Sequence, residues 1–195
     1  EWQICMQNEG LMYFPVIDEN RAIKIINFSQ NTIMSLKTLP TIPYLQELYL
    51  DDTSILSFEF AQPQPNLRIF SLKNTPLSKC AFLNTMAVAV FGDNLKIVNG
   101  VAIREQEIRF GIENRPKIIS YLLQGWILYS LNPLCLFNFR SKETVNLTEN
   151  YLFQSPERNQ PATVDGFVPK KTKKKKKRRR FYHRFNTTDP RTPQK

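Results

Sequence analysis

The chain repeats itself every 22 residues, and apolar side chains return to the same places in each repeat. Four copies share this spacing: Glu1, Ile4, Met6, Glu9, Leu11; Ile23, Ile26, Phe28, Asn31, Ile33; Leu45, Leu48, Leu50, Thr53, Ile55; and Leu67, Phe70, Leu72, Thr75, Leu77. So short a unit cannot bury its own apolar side, so neighbouring units must stack and bury it for each other. The period therefore predicts a repeat architecture.

Taken together, the copies give the pattern L-x-x-L-x-L-x-x-N/T-x-L, which resembles the leucine-rich repeat family. Further apolar positions of that family are matched later in two repeats, by Leu36, Leu39, Ile42 and by Cys80, Leu83, Met86. The resemblance implies an α/β fold, a leucine-rich repeat solenoid. Its curved parallel β-sheet would lie on the concave face and its helices and turns on the convex face.

Strand geometry assigns a direction to each repeat position. Because side chains alternate along a strand, repeat positions four and six face the interior and positions three, five and seven face outward. The Asn of position nine, kept only as Asn31, can bond several buried loop amides. Thr53 and Thr75 replace it with a shorter hydroxyl that makes fewer bonds, so we expect looser stacking there.

The step of 22 ends after Leu77, since the next strand-like match begins at Leu95, 28 positions after Leu67. The spacing of Leu83, Met86 and Val90 predicts a helix over 79–91. Residues 95–103, followed by Glu107, resemble the capping motif that ends leucine-rich repeat proteins of three families. These are the spliceosomal A-prime subunit, the repeat-containing regulatory subunit of type-one phosphatase, and the acidic nuclear phosphoproteins. The motif does not choose among them.

These patterns predict three regions: a solenoid with its cap motif over 1–103, a helical capping extension over 104–140, and a disordered tail over 141–195. In the extension we expect one helix over 104–112 and a second that Pro116 opens and that ends near Gly125. Residues 118–139 carry no charge, but their polar side chains and Pro133 argue against a membrane span. The chain opens inside a repeat, and we expect sequence before Glu1.

Cysteine content bears on the compartment. Cys5, Cys80 and Cys135 are odd in number and lack short paired spacing, so neither a disulfide framework nor a zinc site is predicted. A reducing, intracellular compartment is favoured.

One block of charge dominates the tail: residues 170–180 hold ten Lys or Arg in eleven positions, while the rest of the chain balances 17 basic with 17 acidic residues. The block consists of Lys170, Lys171, Lys173, Lys174, Lys175, Lys176, Lys177, Arg178, Arg179 and Arg180. Such a run predicts nuclear targeting through an import receptor, and nuclear rather than cytoplasmic localisation is preferred. RNA contact, a plain solvated tail, and membrane anchoring are the alternatives, of which the membrane is least expected.

Catalysis is not predicted. The single histidine, His183, lies beside the basic run, and no Gly-rich phosphate loop is present. Glu47 and Asp51 on an exposed sheet are more typical of solvated charges than of paired catalytic carboxylates. We therefore assign no catalytic residue, no metal and no cofactor.

The outward positions define a candidate binding face. Position three holds Gln3, Ile25, Glu47, Ile69 and Ile97; position five holds Cys5, Asn27, Tyr49, Ser71 and Asn99; position seven holds Gln7, Ser29, Asp51 and Lys73. An aromatic at the centre, with aliphatic neighbours and a charged rim, is typical of an interface hot spot. Strands also favour these residue types without any partner. We select Ile25, Asn27, Glu47, Tyr49, Asp51, Ile69, Ser71 and Lys73 as the partner-binding residues.

The sequence thus favours a protein-protein interaction scaffold with a basic tail. A ribonucleoprotein component resembling the spliceosomal A-prime subunit, with RNA on its tail, is the first alternative. A regulatory subunit of a protein phosphatase is the second.

Overall fold

The structure is a computed structural model that describes residues 2–17 and 22–147. The chain divides into two units, Glu1–Glu157 and Arg158–Lys195, and every described residue belongs to the first. The basic run, and most of the predicted disordered tail, lie outside the described residues.

Short strands from successive repeats form one six-stranded sheet in the order β1-β2-β3-β4-β5-β6. The strands are β1 (Gln3–Cys5), β2 (Ile25–Asn27), β3 (Glu47–Tyr49), β4 (Ile69–Ser71), β5 (Ile97–Val98) and β6 (Val101–Ala102). The first five are parallel, and residues 22 apart are direct partners from β1 to β4. This mixed α/β arrangement, with its sheet register set by the repeat, is compatible with the leucine-rich repeat solenoid that the sequence predicts.

The interior is formed by the repeat positions that the alternation of strands directs inward. Ile26, Leu48 and Phe70 at position four are fully buried, as are their neighbours two residues later. Phe58 and Phe91 pack against Phe70, with ring centroids 6.3 and 4.9 Å from it. Burial of a large apolar side chain contributes about 1.5–3 kcal/mol, so this column is the main source of stability.

Polar side chains tie successive repeats together inside the stack. Asn31 Oδ1 accepts the backbone N–H groups of Glu9 (3.0 Å) and Leu11 (2.9 Å), and its Nδ2 donates to three carbonyls, those of Met6, Phe28 and Ser29. By contrast, Thr53 Oγ1 donates to Leu50 O alone, at 2.7 Å. The expected difference between Asn and Thr at this position is confirmed at the level of hydrogen bonds.

A second buried bridge has no counterpart in the repeat pattern. Gln64 is fully buried, donates to Pro40 O at 2.8 Å and accepts the Ile42 N–H at 3.0 Å. Both partners lie in the preceding repeat, so Gln64 holds two loop segments together where no strand pairing reaches them. A lone Gln in a Pro-rich loop gives no sequence signal for such a role.

The helix predicted over 79–91 is shorter than expected. A 3-10 turn (Leu77–Lys79) comes first, Cys80 is extended with φ −76° and ψ 130°, and helix α1 spans Leu83–Phe91. After β5, Asn99 and Gly100 have positive φ values of 54° and 81°, as a tight two-residue hairpin turn requires. The turn places β6 antiparallel to β5, which ends the parallel sheet.

The prediction of two helices over 104–125 is wrong, because one helix, α2 (Glu105–Leu122), continues through Pro116. Proline lacks an N–H and leaves the carbonyl four residues earlier unbonded. Here that residue is Ile112, which is 44% exposed, so water can serve the carbonyl. The side of α2 that packs on α1 includes Gly111, where a Cβ would come within 2.9 Å of Thr85 O on α1.

The predicted helical character of 104–140 is also wrong beyond α2. Strands β7 (Trp126–Leu131), β8 (Leu134–Asn138) and β9 (Thr144–Asn146) form a separate antiparallel sheet in the order β7-β8-β9. β9 lies beyond residue 140, so the chain is still folded where the sequence predicts that the disordered tail begins. The uncharged stretch 118–139 thus contains the end of α2 followed by a hairpin. Its apolar content alone could not tell strand from helix there. No helix in the described ranges is long and apolar enough to span a bilayer.

The segment that follows α2, which contains the small sheet, is bonded to the rest of the described chain. Leu128 N donates to Met86 Sδ at 3.1 Å, in the interior. Phe60 N donates to Leu123 O at 3.1 Å, and Arg140 pairs with Glu59 at 2.7 Å near the surface. The sheet also extends the core, because its apolar residues Ile127, Leu128, Leu134 and Leu136 are buried in the same cluster as those of the repeats.

We expect Asn31→Ala to destabilise the protein by about 3 kcal/mol, because it leaves several buried backbone groups without partners, each costing about 1–3 kcal/mol. Thr53→Val removes one hydrogen bond at the same repeat position and should cost about 1 kcal/mol. Urea unfolding followed by circular dichroism measures both. Equal losses would show that the Asn31 contacts do not hold the repeats together.

Candidate binding face

The sheet brings the predicted binding residues together on one surface. Its register makes Gln3, Ile25, Glu47, Ile69 and Ile97 successive neighbours across the strands, and Cys5, Asn27, Tyr49 and Ser71 likewise. Adjacent strands lie about 4.8 Å apart, so each row crosses the sheet at that spacing. We call the surface formed by repeat positions three, five and seven the concave face.

Exposure on this face is uneven. Ile25, Glu47, Tyr49 and Ile69 are half-buried, so part of each side chain faces solvent, and Lys73 is exposed. Ser71 is only 3% exposed, because its hydroxyl is turned toward Asp51, to which it donates at 2.6 Å. Ser71 therefore supports the face and offers little surface to a partner.

Tyr49 lies at the centre of the face and is held by its neighbour. Its hydroxyl donates to Glu47 Oε2 at 2.7 Å. Desolvation, the hydrogen bond to Glu47 and the negative charges of Glu47 and Asp51 raise the pKa of Tyr49 to about 12. The phenol is therefore neutral at physiological pH, and its ring is oriented before any partner arrives.

The carboxylates at the C-terminal ends of the strands bond to the chain's own donors. Asp51 Oδ1 accepts the Ser71 hydroxyl and also the backbone N–H of Lys73, at 2.7 Å. Asp52 Oδ1 accepts the Asn74 amide at 2.9 Å. These acids shape the turns that follow the strands, which reduces their value as ligands for a partner.

At the opposite, N-terminal ends of the strands, repeat position two carries positive charge. The sequence-based prediction of positions three, five and seven as the binding face did not include it. Lys24, Arg68 and Lys96 occupy it in three repeats and are exposed, while Gln46 and the exposed Trp2 occupy it in the other two. We call Lys24, Arg68 and Lys96 the cationic edge. The signal was present in the sequence, since the same register that gives the outward columns also aligns these residues.

A ladder of backbone hydrogen bonds fixes the spacing of this edge. The N–H groups of Lys24, Gln46, Arg68 and Lys96 donate to Trp2 O, Lys24 O, Gln46 O and Arg68 O at 2.7, 2.8, 2.8 and 2.9 Å. Because every position-two residue is bonded to the next, the row is held rigidly along the start of the strands.

Other chemistry has little support in the described part of the chain. Within the described residues 2–17 and 22–147, no group of three or more His, Cys, Asp or Glu could hold a metal ion. Burial raises the pKa of the Cys80 thiol to about 11 and also raises that of Cys135, so both are protonated and weakly nucleophilic at neutral pH. A groove of about 350 Å³ between α1 and α2, lined by Phe82, Phe110 and Leu131 among others, is set apart from the concave face.

The basic run of Lys170, Lys171, Lys173, Lys174, Lys175, Lys176, Lys177, Arg178, Arg179 and Arg180 lies outside the described residues, as does His183.

Comparison with known proteins finds distant likeness among solved structures. No known protein family matches the chain, and no curated protein matches it. Seven chains of solved structures do match. One belongs to the crystal structure of the Drosophila melanogaster SNF/U2A' complex, with a TM-score of 0.41 and 14% identity, covering 61% of this chain and 87% of that one. At that distance the likeness concerns the fold at most and does not resolve a subfamily.

Glu47→Gln should lower the pKa of Tyr49 from about 12 toward, but not to, its ordinary value, because the charge is removed while the desolvation remains. A raised native pKa favours folding below the unfolded value of about 10, and that contribution is lost as pH rises toward the native pKa. Ultraviolet titration of phenolate absorbance measures the shift, with Tyr49→Phe identifying the signal. An unchanged titration would contradict the role of Glu47.

Proposed function

We propose that this chain is a leucine-rich repeat solenoid that acts as a non-catalytic scaffold and binds a protein partner through its concave face. The observation that carries the proposal is the row formed by Ile25, Glu47, Ile69 and Ile97, which places half-buried isoleucines across the sheet beside an oriented Tyr49. Aliphatic and aromatic side chains with a polar rim are the usual anchors of protein interfaces.

The energetics favour this face as an interface. Tyr49 is already fixed by Glu47, so a partner that contacts its ring loses little additional side-chain entropy. Ile25 and Ile69 are β-branched and stiff, which lowers the same cost. Rigid anchors of this kind give affinity that a flexible surface of equal area does not.

The non-catalytic part of the proposal has chemical support. The thiols of Cys80 and Cys135 are held protonated by burial, Glu47 and Asp51 are bonded to neighbouring groups, and the only histidine of the sequence is His183 in the tail. The described concave face thus offers donors, acceptors and apolar surface for binding.

For the tail, we propose that the basic run directs an intracellular protein to the nucleus through an import receptor, with RNA contact as the alternative. Ten cations in eleven positions match the composition that import receptors read, while the rest of the chain is formally neutral. Electrostatic binding to phosphate is compatible with the same residues.

The scaffold proposal predicts that partners are captured from nuclease-treated extract by the full chain and lost with Tyr49→Ala/Ile69→Ala. Met34→Ala/Leu56→Ala is the matched control, because both residues are about half exposed and lie beyond the concave face, at 54% and 50%. Quantitative mass spectrometry compares the three. Capture that is equally strong from all three proteins would contradict the proposal, provided circular dichroism shows that each is folded.

The targeting proposal predicts that a fluorescent protein fused to the full chain accumulates in the nucleus. Replacing all ten cations of residues 170–180 by Gln should abolish accumulation, because import receptors bind the run through its charge. Replacing Arg184, Arg191 and Lys195 by Gln serves as the control, since these cations of the tail lie outside the run. Nuclear accumulation without the run would refute this role.

A further inference from the structure

We propose that the partner of the concave face presents an acidic segment with aliphatic side chains, which lies across the strands along the cationic edge. This rests on the proposed function, since it specifies the partner of the same face. The aliphatic side chains would pack on Ile25, Ile69 and Ile97, and the carboxylates would pair with Lys24, Arg68 and Lys96.

A repeated dipeptide carries the inference. Each cation directly precedes an isoleucine of position three, giving Lys24-Ile25, Arg68-Ile69 and Lys96-Ile97. The strand register and the backbone ladder place the second and third pairs on adjacent strands and the first pair two strands from the second, with Gln46-Glu47 between them. Two parallel rows result, one cationic and one aliphatic, about 3.8 Å apart along the chain.

Spacing limits what such rows can engage. β4 and β5 are adjacent, so Arg68 and Lys96 begin strands about 4.8 Å apart, and Lys24 begins a strand roughly 10 Å from Arg68. Successive exposed groups on one side of a helix or strand recur at about 5–7 Å. A single peptide segment can therefore contact all three pairs.

The balance of charge on the face favours an acidic partner. Glu47, Asp51 and Asp52 already accept hydrogen bonds from Tyr49, Ser71 and Asn74 respectively. Among the cations, Lys96 Nζ donates to Asp93 O at 2.8 Å, which leaves two of its three donors, and Lys24 and Arg68 are exposed at the rim. Positive charge is thus the more available sign at this edge.

The same surface is a poor match for nucleic acid. Each of the three cations is followed by an isoleucine, whereas single-stranded nucleic acid is bound by several aromatic stacking platforms, and the exposed Trp2 beside Lys24 is a single aromatic at the end of the row. Glu47 interrupts the row of isoleucines with a negative charge. A peptide can present a neutral residue there, whereas every linkage of a nucleic acid carries a phosphate. Three cations with aliphatic neighbours therefore favour a peptide.

The test measures fluorescence anisotropy of labelled synthetic peptides with the full chain at physiological salt. The main probe is a 14-residue helical peptide with Leu at every third or fourth position and Glu beside each Leu, following about 3.6 residues per turn. Three more probes separate the contributions: the same peptide with Leu replaced by Ser, the same peptide with Glu replaced by Gln, and an oligo-dT strand.

Variants separate the cationic edge from the basic run, which also attracts acids. Lys24→Glu/Arg68→Glu changes the edge, and Lys79→Glu/Lys142→Glu makes the same change of net charge at exposed sites elsewhere. Both keep the run. We expect the edge variant to bind the main probe about 10-fold more weakly than its control, as loss of paired charges at an interface predicts. Gln46→Lys, which completes the row, should strengthen binding.

The outcomes are distinct. The inference is overturned if both double variants bind the main probe with equal affinity. It is also overturned if the unmodified chain binds the main probe no more tightly than it binds the control peptides. A second result also overturns the inference: oligo-dT or the Leu-to-Ser peptide binds as tightly as the main probe, and the edge variant weakens that binding equally. The edge would then be a site for polyanions in general. If capture from extract depends on Tyr49 and Ile69 while the edge variant binds normally, the proposed function stands and this inference fails.

Discussion

Stacking of one repeat on the next is the interaction on which the rest of this structure depends. Each strand of the six-stranded sheet is only two or three residues long, so it is stable only as part of the sheet that its neighbours extend. Burial of position four, shown by the fully buried Ile26, Leu48 and Phe70, supplies the apolar energy. Asn31 and Gln64 bond the backbone groups that strand pairing does not reach. The positions of all outward residues then follow from the stack.

This dependence explains how much the sequence could predict. A period of 22 residues determines which residues are partners across β1 to β4, so the row of Ile25, Glu47 and Ile69 follows from the sequence alone. The cap hairpin after Leu95 was foreseeable because Asn99-Gly100 is a strong turn signal. The small sheet was not, because 118–139 is uncharged throughout and its apolar residues fit helix and strand equally well. Pro116 led to the wrong prediction of a helix boundary in the same region. The energetic cost of a proline inside a helix depends on whether the carbonyl of Ile112 can reach water, and its exposure is a property of the tertiary structure.

The two edges of the sheet differ in the use of their charged groups. At the C-terminal ends of the strands, Asp51 closes the turns by accepting the hydroxyl of Ser71 and the N–H of Lys73, which follow it in the next repeat. At the N-terminal ends, the main-chain groups bond to one another in the backbone ladder, in which the exposed side chains of Lys24 and Arg68 take no part. Side chains that the backbone bonding does not use are those whose chemistry can serve a partner. The cationic edge meets that condition and Ser71 does not.

Charge and apolar contact would serve the proposed partner in different ways. Attraction between its carboxylates and the side chains of Lys24 and Arg68 acts at long range. Long-range attraction of that kind raises the rate of encounter and weakens as salt screens it, while short-range contacts determine which partner stays. The isoleucines beside the cations provide contacts of the second kind, since only a segment with apolar side chains at matching intervals can bury them. Specificity would then reside in the Lys/Arg-Ile pairs of the sheet.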